Sequence, residues 1–152
     1  MSEQFIKRAL IGAVTFHEIN QKIIDWNYSD IEGEGFYYKL LSGRYGHVKL
    51  KISKIENFEN IIIEWNDTAQ IPEEFREIIL KTLGFFISYI EGLKGKQQSL
   101  KIEIIDGSSH SVDSSNLGYE IATKFALHDC FGNLKKEISE SDRKLIARFK
   151  EK

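Results

Sequence analysis

The chain has one cysteine, Cys130, and one proline, Pro72, among its 152 residues. A single thiol excludes an internal disulfide and a cysteine-built zinc knuckle. With no Pro-, Gly- or Ser-rich tract there is nothing to read as an interdomain linker. One domain is expected, large enough to bury roughly 70% of its unfolded surface. The most apolar window, residues 78–90, is broken by Lys81, Thr82 and Ser88 and is too short to cross a bilayer. The opening MSEQFIKRAL lacks the apolar stretch and small-residue cleavage site of a secretory signal. No G-x-x-x-x-G-K-[ST] run is present, so GTP or ATP binding of the P-loop kind is excluded. A formal charge of −2 gives no general attraction to nucleic acid or to anionic lipid. A soluble, cytoplasmic protein without membrane contact is the expectation.

The apolar fraction, 41% with 12% aromatic residues, is that of a folded globular chain. Charge is unevenly spread. Lys39, Arg44, Lys49, Lys51 and Lys54 occur between residues 39 and 54 with no acid among them. Residues 134–152 hold seven bases and four acids, leaving the rest of the chain acidic. Contact with a polyanion should therefore be local.

Period-2 and period-3.6 patterns outline the fold. Residues 10–19 read as a strand, with Val14 and Phe16 alternating against Thr15 and His17. Residues 36–41 and 48–52 flank the turn Ser42-Gly43-Arg44-Tyr45-Gly46; Val48, Leu50 and Ile52 face inward, Lys49 and Lys51 outward. Residues 60–65 form a third apolar strand. A helix begins at Pro72, with Glu73 and Glu74 at the positive end of its dipole. Its buried stripe of Phe75, Ile78, Ile79, Thr82, Leu83 and Phe86 ends near Gly92. Residues 100–105 are the next strand. A further helix carries an apolar row, Leu117, Ile121 and Phe125, beside a small-residue row, Gly118, Ala122 and Ala126, that permits close approach to a sheet. Ser139 and Asp142 resemble a capping box opening a last helix with Leu145, Ile146 and Phe149. The order points to the α+β class, a four-stranded, mostly antiparallel sheet with two helices on one face and a tail helix.

The loop IDGSSHSVDSS, residues 105–115, holds the residue types of a hydrolase triad in Ser108, His110 and Asp113, but groups crowded into six positions rarely converge on an oxyanion site. The histidines His17, His47, His110 and His128 share no metal-ligand spacing, so neither a metal nor another cofactor is expected. Locally, Asp106-Gly107 makes the turn out of the strand, and Asp113 or Ser114 caps the next helix. His110 is left at the apex without a local task.

The stretch DGSSHSVDSS closely resembles the D-G-S-Y-H-x-V-D-S-S signature of domain IV of bacterial translation elongation factor G. LIGAVTFHEI, GRYGHVKLKI, IPEEF and LGYEIATKFAL resemble four further segments of that domain in the same order. The resemblance implies a fold related to the second domain of ribosomal protein S5, with a left-handed βαβ crossover, over residues 1–133, followed by a basic tail helix over 134–152. It also implies that residues 42–45 and 107–111 form paired loops at one tip, which in that family enter the decoding region of the small ribosomal subunit. His47 and Asp113 match positions that read as structural. Arg44 and Ser109 depart from the usual Gln and Tyr.

Two functions follow as expectations. The first is a non-enzymatic module binding the small ribosomal subunit or a structured RNA. Its contact residues would be Ser42, Gly43, Arg44, Tyr45, Gly107, Ser108, Ser109, His110 and Ser111, supported by a basic face of Lys49 and Lys51. The second is a protein-interaction module that kept the fold but lost the ribosome, with residues 134–152 meeting the partner.

Overall fold

The computed structural model describes residues 16–39, 43–56 and 60–150. Four strands form one sheet: β1 (Ile31–Lys39), β2 (Arg44–Lys54), β3 (Ile61–Trp65) and β4 (Leu100–Gly107). Their order is β1-β2-β4-β3, with β1–β2 and β2–β4 antiparallel and β3–β4 parallel. Helix α1 (Asn20–Asp25) precedes the sheet, α2 (Arg76–Lys94) links β3 to β4, and α3 (Asn116–Cys130) and α4 (Glu140–Lys150) follow. The mostly antiparallel α+β architecture is the one expected.

One sheet face carries the main core. Val48, Leu50 and Ile52 of β2 and Leu100, Ile102 and Ile104 of β4 are fully buried. They share a cluster with Ile79, Leu83, Phe86 and Ile90 of α2 and Tyr119, Ala122 and Ala126 of α3. α2 runs two residues beyond the expected Gly92 and stops at Gly95, whose φ of 69° is the left-handed conformation that ends helices.

The expected strand over residues 10–19 is corrected where it can be seen. His17–Ile19 is a 3-10 turn that leads into α1. Phe16, Ile19, Ile23 and Trp26 are buried at spacings of three and four, a helical stripe. Residues 10–15 lie outside the described residues.

α3 meets the sheet through its small-residue row, as expected. Of its two neighbouring rows, Gly118, Ala122 and Ala126 are buried, while Leu117 is exposed and Ile121 and Phe125 are half-buried. The reason lies in the strands. A Cβ on Gly35 would stand 1.9 Å from the Ala122 carbonyl oxygen, and one on Gly46 would stand 2.2 Å from that of Gly118. Glycines on β1 and β2 thus meet the small-residue row of α3 backbone to backbone. This also explains why β1 begins at Ile31, five residues before the expected start. Glu-Gly-Glu-Gly is a poor strand former alone, but its glycines are where another backbone comes close.

α4 lies on the opposite face. Ile146 is buried with Phe36 and Tyr45, and Tyr38, Ile138 and Phe149 pack around them. Its capping box forms as expected: Asp142 N–H donates to Ser139 Oγ at 3.0 Å, and Ser139 N–H to Asp142 Oδ2 at 3.1 Å.

Gly46→Ala forces two backbones apart, so it should destabilise the fold by about 1–3 kcal/mol or more. Urea unfolding measures this; a wild-type midpoint would contradict the close packing.

Candidate functional site

β1 ends, β2 begins and β4 ends at the same edge of the molecule, because both pairings are antiparallel. The turn before Arg44 and the loop after Gly107 are therefore neighbours, and Tyr45 forms a bridge with Ser114. Gly43, at φ 66°, makes the turn into β2. Ser42 lies outside the described residues.

A buried polar line holds the second loop to the sheet. Tyr45 Oη lies 2.6 Å from Ser108 Oγ, and Ser108 Oγ lies 2.8 Å from His47 Nδ1. His47 Nε2 is 2.6 Å from Glu34 Oε2, and Glu34 meets the Arg143 guanidinium at 2.8 Å. One assignment satisfies every group. The phenol donates to the serine, the serine donates to Nδ1, and Nε2–H donates to the carboxylate. Tyr119 of α3 adds a hydrogen bond from its hydroxyl to the Ser108 carbonyl at 2.7 Å. Burial pushes the Tyr45 phenol up to about 12. Burial also opposes ionisation of Glu34, but the hydrogen bonds from His47 and Arg143 outweigh it and bring that carboxyl down to about 2.

The loop differs in detail from its sequence reading. β4 continues through Gly107, and the turn falls at residues 111–113. Ser115, not Asp113 or Ser114, caps α3, its Oγ accepting from Gly118 N–H at 3.1 Å. Asp113 instead accepts from Tyr38 Oη at 3.2 Å, and Ser114 Oγ accepts from His110 N–H at 2.8 Å.

His110 is only one-fifth exposed. Its Nδ1 accepts the backbone N–H of Asp113 at 2.9 Å and of Val112 at 3.1 Å, which folds the ring back onto its own loop. A neutral ring then carries its proton on Nε2. The ring sits among Tyr38, Tyr45 and Phe149, the last edge-on at 4.8 Å. The apex belongs to Val112, 79% exposed.

Several expected contact residues are thus building material. Tyr45, Gly107 and Ser108 are buried, Ser109 and Arg44 are half-buried, and Gly43 and Ser111 are exposed. The pleat assigns Arg44, with Gly46 and Val48, to the α3 face, and Tyr45, with His47, to the face where His110 lies. The basic face of Lys49 and Lys51 is corrected too. Lys49 stands across from Glu34 and Asp106, and Lys51 across from Glu32 and Glu103, so each lysine is flanked by two acids.

The triad types occur together, but not as the loop sequence suggested. Ser108 bonds His47 rather than His110, and its hydroxyl is fully buried and shared with Tyr45, out of reach of a substrate. Among the described residues, Glu34, His47 and Asp106 bring ligand atoms within 4.8 Å of one another. Arg143 and Lys150 pair with the two carboxylates, so this donor set is already matched by cations of α4. Sequence reasoning missed Glu34, Tyr38, Arg143 and Lys150. Only the β1–β2 register and the seat of α4 bring them here.

Residues 27–133 match the family described as elongation factor G, domain IV. Elongation factor G of Petrotoga mobilis is 32% identical over 116 residues, covering 72% of this chain and 16% of that protein. That of Thermotoga maritima is 31% identical over 121 residues, covering 75% and 17%. The mitochondrial elongation factor G of Culex quinquefasciatus is 32% identical over 103 residues, covering 64% and 14%. The chain therefore spans 14–17% of the length of these relatives. A crystal structure of a Thermus thermophilus protein aligns with a TM-score of 0.56 at 26% identity, over 70% of this chain and 16% of that one.

Ser108→Ala leaves the Tyr45 hydroxyl and His47 Nδ1 buried without their partner. It should cost about 1–3 kcal/mol of stability in denaturant titration, and no loss would contradict the relay. Because folding lowers the Glu34 carboxyl from 4.5 to about 2, its contribution is complete above pH 4.5 and is lost as pH falls from there through about 2. Thermal melts across that window should fall less steeply for Arg143→Ala, which removes one of the two stabilising partners; superimposable curves would contradict this coupling.

Proposed function

The chain belongs to the elongation factor G domain IV family, and from that premise we propose that it is a non-enzymatic module binding structured RNA of the small ribosomal subunit through the loop after β4. The observation that carries the reading is the loop itself. Residues 108–115 match the family signature almost throughout and stand at one end of the sheet beside the β1–β2 turn, with Ser111 and Val112 exposed. Rigidity suits that task. A loop already held by Ser108, His110 and Ser114 loses little freedom on binding. An apolar apex beside aromatic rings suits splayed bases in RNA, which are recognised by stacking and shape as much as by charge. The buried serine and the lack of a P-loop sequence support a binding role over a catalytic one.

The other reading, a protein-interaction module using residues 134–152, has less support. Of the apolar residues it needs, Ile138, Leu145, Ile146 and Phe149, all but Leu145 pack against Phe36, Tyr38 and Tyr45 of the same chain.

Cosedimentation with purified small subunits tests the proposal. Binding should saturate and weaken as salt rises. Val112→Asp, at an exposed position that leaves the fold intact, should weaken it roughly tenfold, ~1.4 kcal/mol. Arg44→Ala/His110→Ala should weaken it as well. Equal binding by wild type and both variants would remove the loop from the account.

A further inference from the structure

The face on which α4 lies is acidic in its own right. Pleat and register place Glu32 and Glu34 of β1, Glu64 of β3, and Glu103 and Asp106 of β4 on it, against Lys49, Lys51 and Lys101. A polyanion approaching that bare surface would be repelled. α4 offsets that charge. Arg143 pairs with Glu34, and Lys150, two turns further on, pairs with Asp106. Ile146 is buried between these anchors, so residues 143, 146 and 150 form the side that faces the sheet. Lys144 and Arg148 fall on the other side, and both are exposed. Four residues apart, they are neighbours on the helix surface, about 5–6 Å between Cβ atoms. The acids of the helix, Glu140 and Asp142, are confined to its first turn, while Arg148 and Lys150 occupy its last. That basic last turn is the one beside the loop, because Phe149 meets the His110 ring edge-on.

We propose that α4 supplies the cationic surface at this end of the molecule, with Lys144 and Arg148 contacting the phosphate backbone of the same structured RNA that the loop engages. The inference rests on the RNA-binding reading above and adds residues beyond the family match, which ends at residue 133. It moves the phosphate contacts from Lys49 and Lys51, which acids flank, to a helix whose anchors neutralise two of those acids. The sign of the effect separates this role from the opposite one, in which α4 covers the loop and hinders binding.

The test measures binding of the full chain to purified small subunits across a salt series. Lys144→Ala/Arg148→Ala should keep the wild-type melting temperature, weaken binding, and reduce the slope of log K against log salt by roughly 1.4 to 1.8. Arg143→Glu/Lys150→Glu, which undocks the helix, should also weaken binding; hydrogen exchange over residues 140–150 reports the undocking directly. An unchanged slope for the first variant, or tighter binding by the second, overturns the role given to α4 and leaves the loop reading standing. Absence of salt-sensitive binding by the wild-type chain overturns both.

Discussion

The hydroxyl of Ser108 is the point on which this end of the structure depends. It is fully buried, yet it meets Tyr45 and His47 of β2, and its carbonyl accepts from Tyr119 of α3. A buried polar group left unpaired costs far more than a made hydrogen bond contributes, so the loop has one low-energy seat. From that seat the rest follows. His110 lands over Tyr38 and Tyr45, its Nδ1 shapes the next turn, and Val112 is left outermost. His47 passes the connection to Glu34, which is the carboxylate that Arg143 of α4 finds.

A second constraint is steric. Backbone-to-backbone contact between α3 and the glycines of β1 and β2 leaves no room for side chains across that part of the main face. Three aromatic residues of the same strands, Phe36, Tyr38 and Tyr45, stand on the other face, while Tyr37 stays on the α3 side against Phe125. They make a small separate core, which Ile146 and Phe149 complete. α4 is held by this apolar patch and by one ion pair on either side of Ile146. The helix is thus joined both to the buried polar line and to the loop it supports.

Much of this is legible in the sequence. The strands over residues 48–52 and 60–65, the helix after Pro72, the capping box at Ser139 and the small-residue row of α3 all carry local signals that the fold respects. The failures share a cause. A strand through Phe16 to Ile19 rests on a short alternation, whereas the spacing of Phe16, Ile19, Ile23 and Trp26 is helical. The small-residue row of α3 can be read locally, but the strand glycines it meets, Gly35 and Gly46, are named only by the packing. Lys49 and Lys51 look like a basic face because their neutralising acids lie on other strands, brought opposite only by register. The fold is thus written in local pattern, while the site is written in pairings across the sheet.

A domain IV fold, a loop fixed from beneath and a basic helix fixed beside it together describe one rigid, polarised end, which the proposed function directs at RNA. Ultraviolet crosslinking of the full chain in cells, followed by mapping of both the protein and the RNA positions joined, tests that description most directly. The account predicts crosslinks from residues 109–112 and from the outer side of α4 to small-subunit ribosomal RNA. Crosslinks confined to the opposite end of the molecule, or recovery of protein partners with no RNA at all, would contradict it.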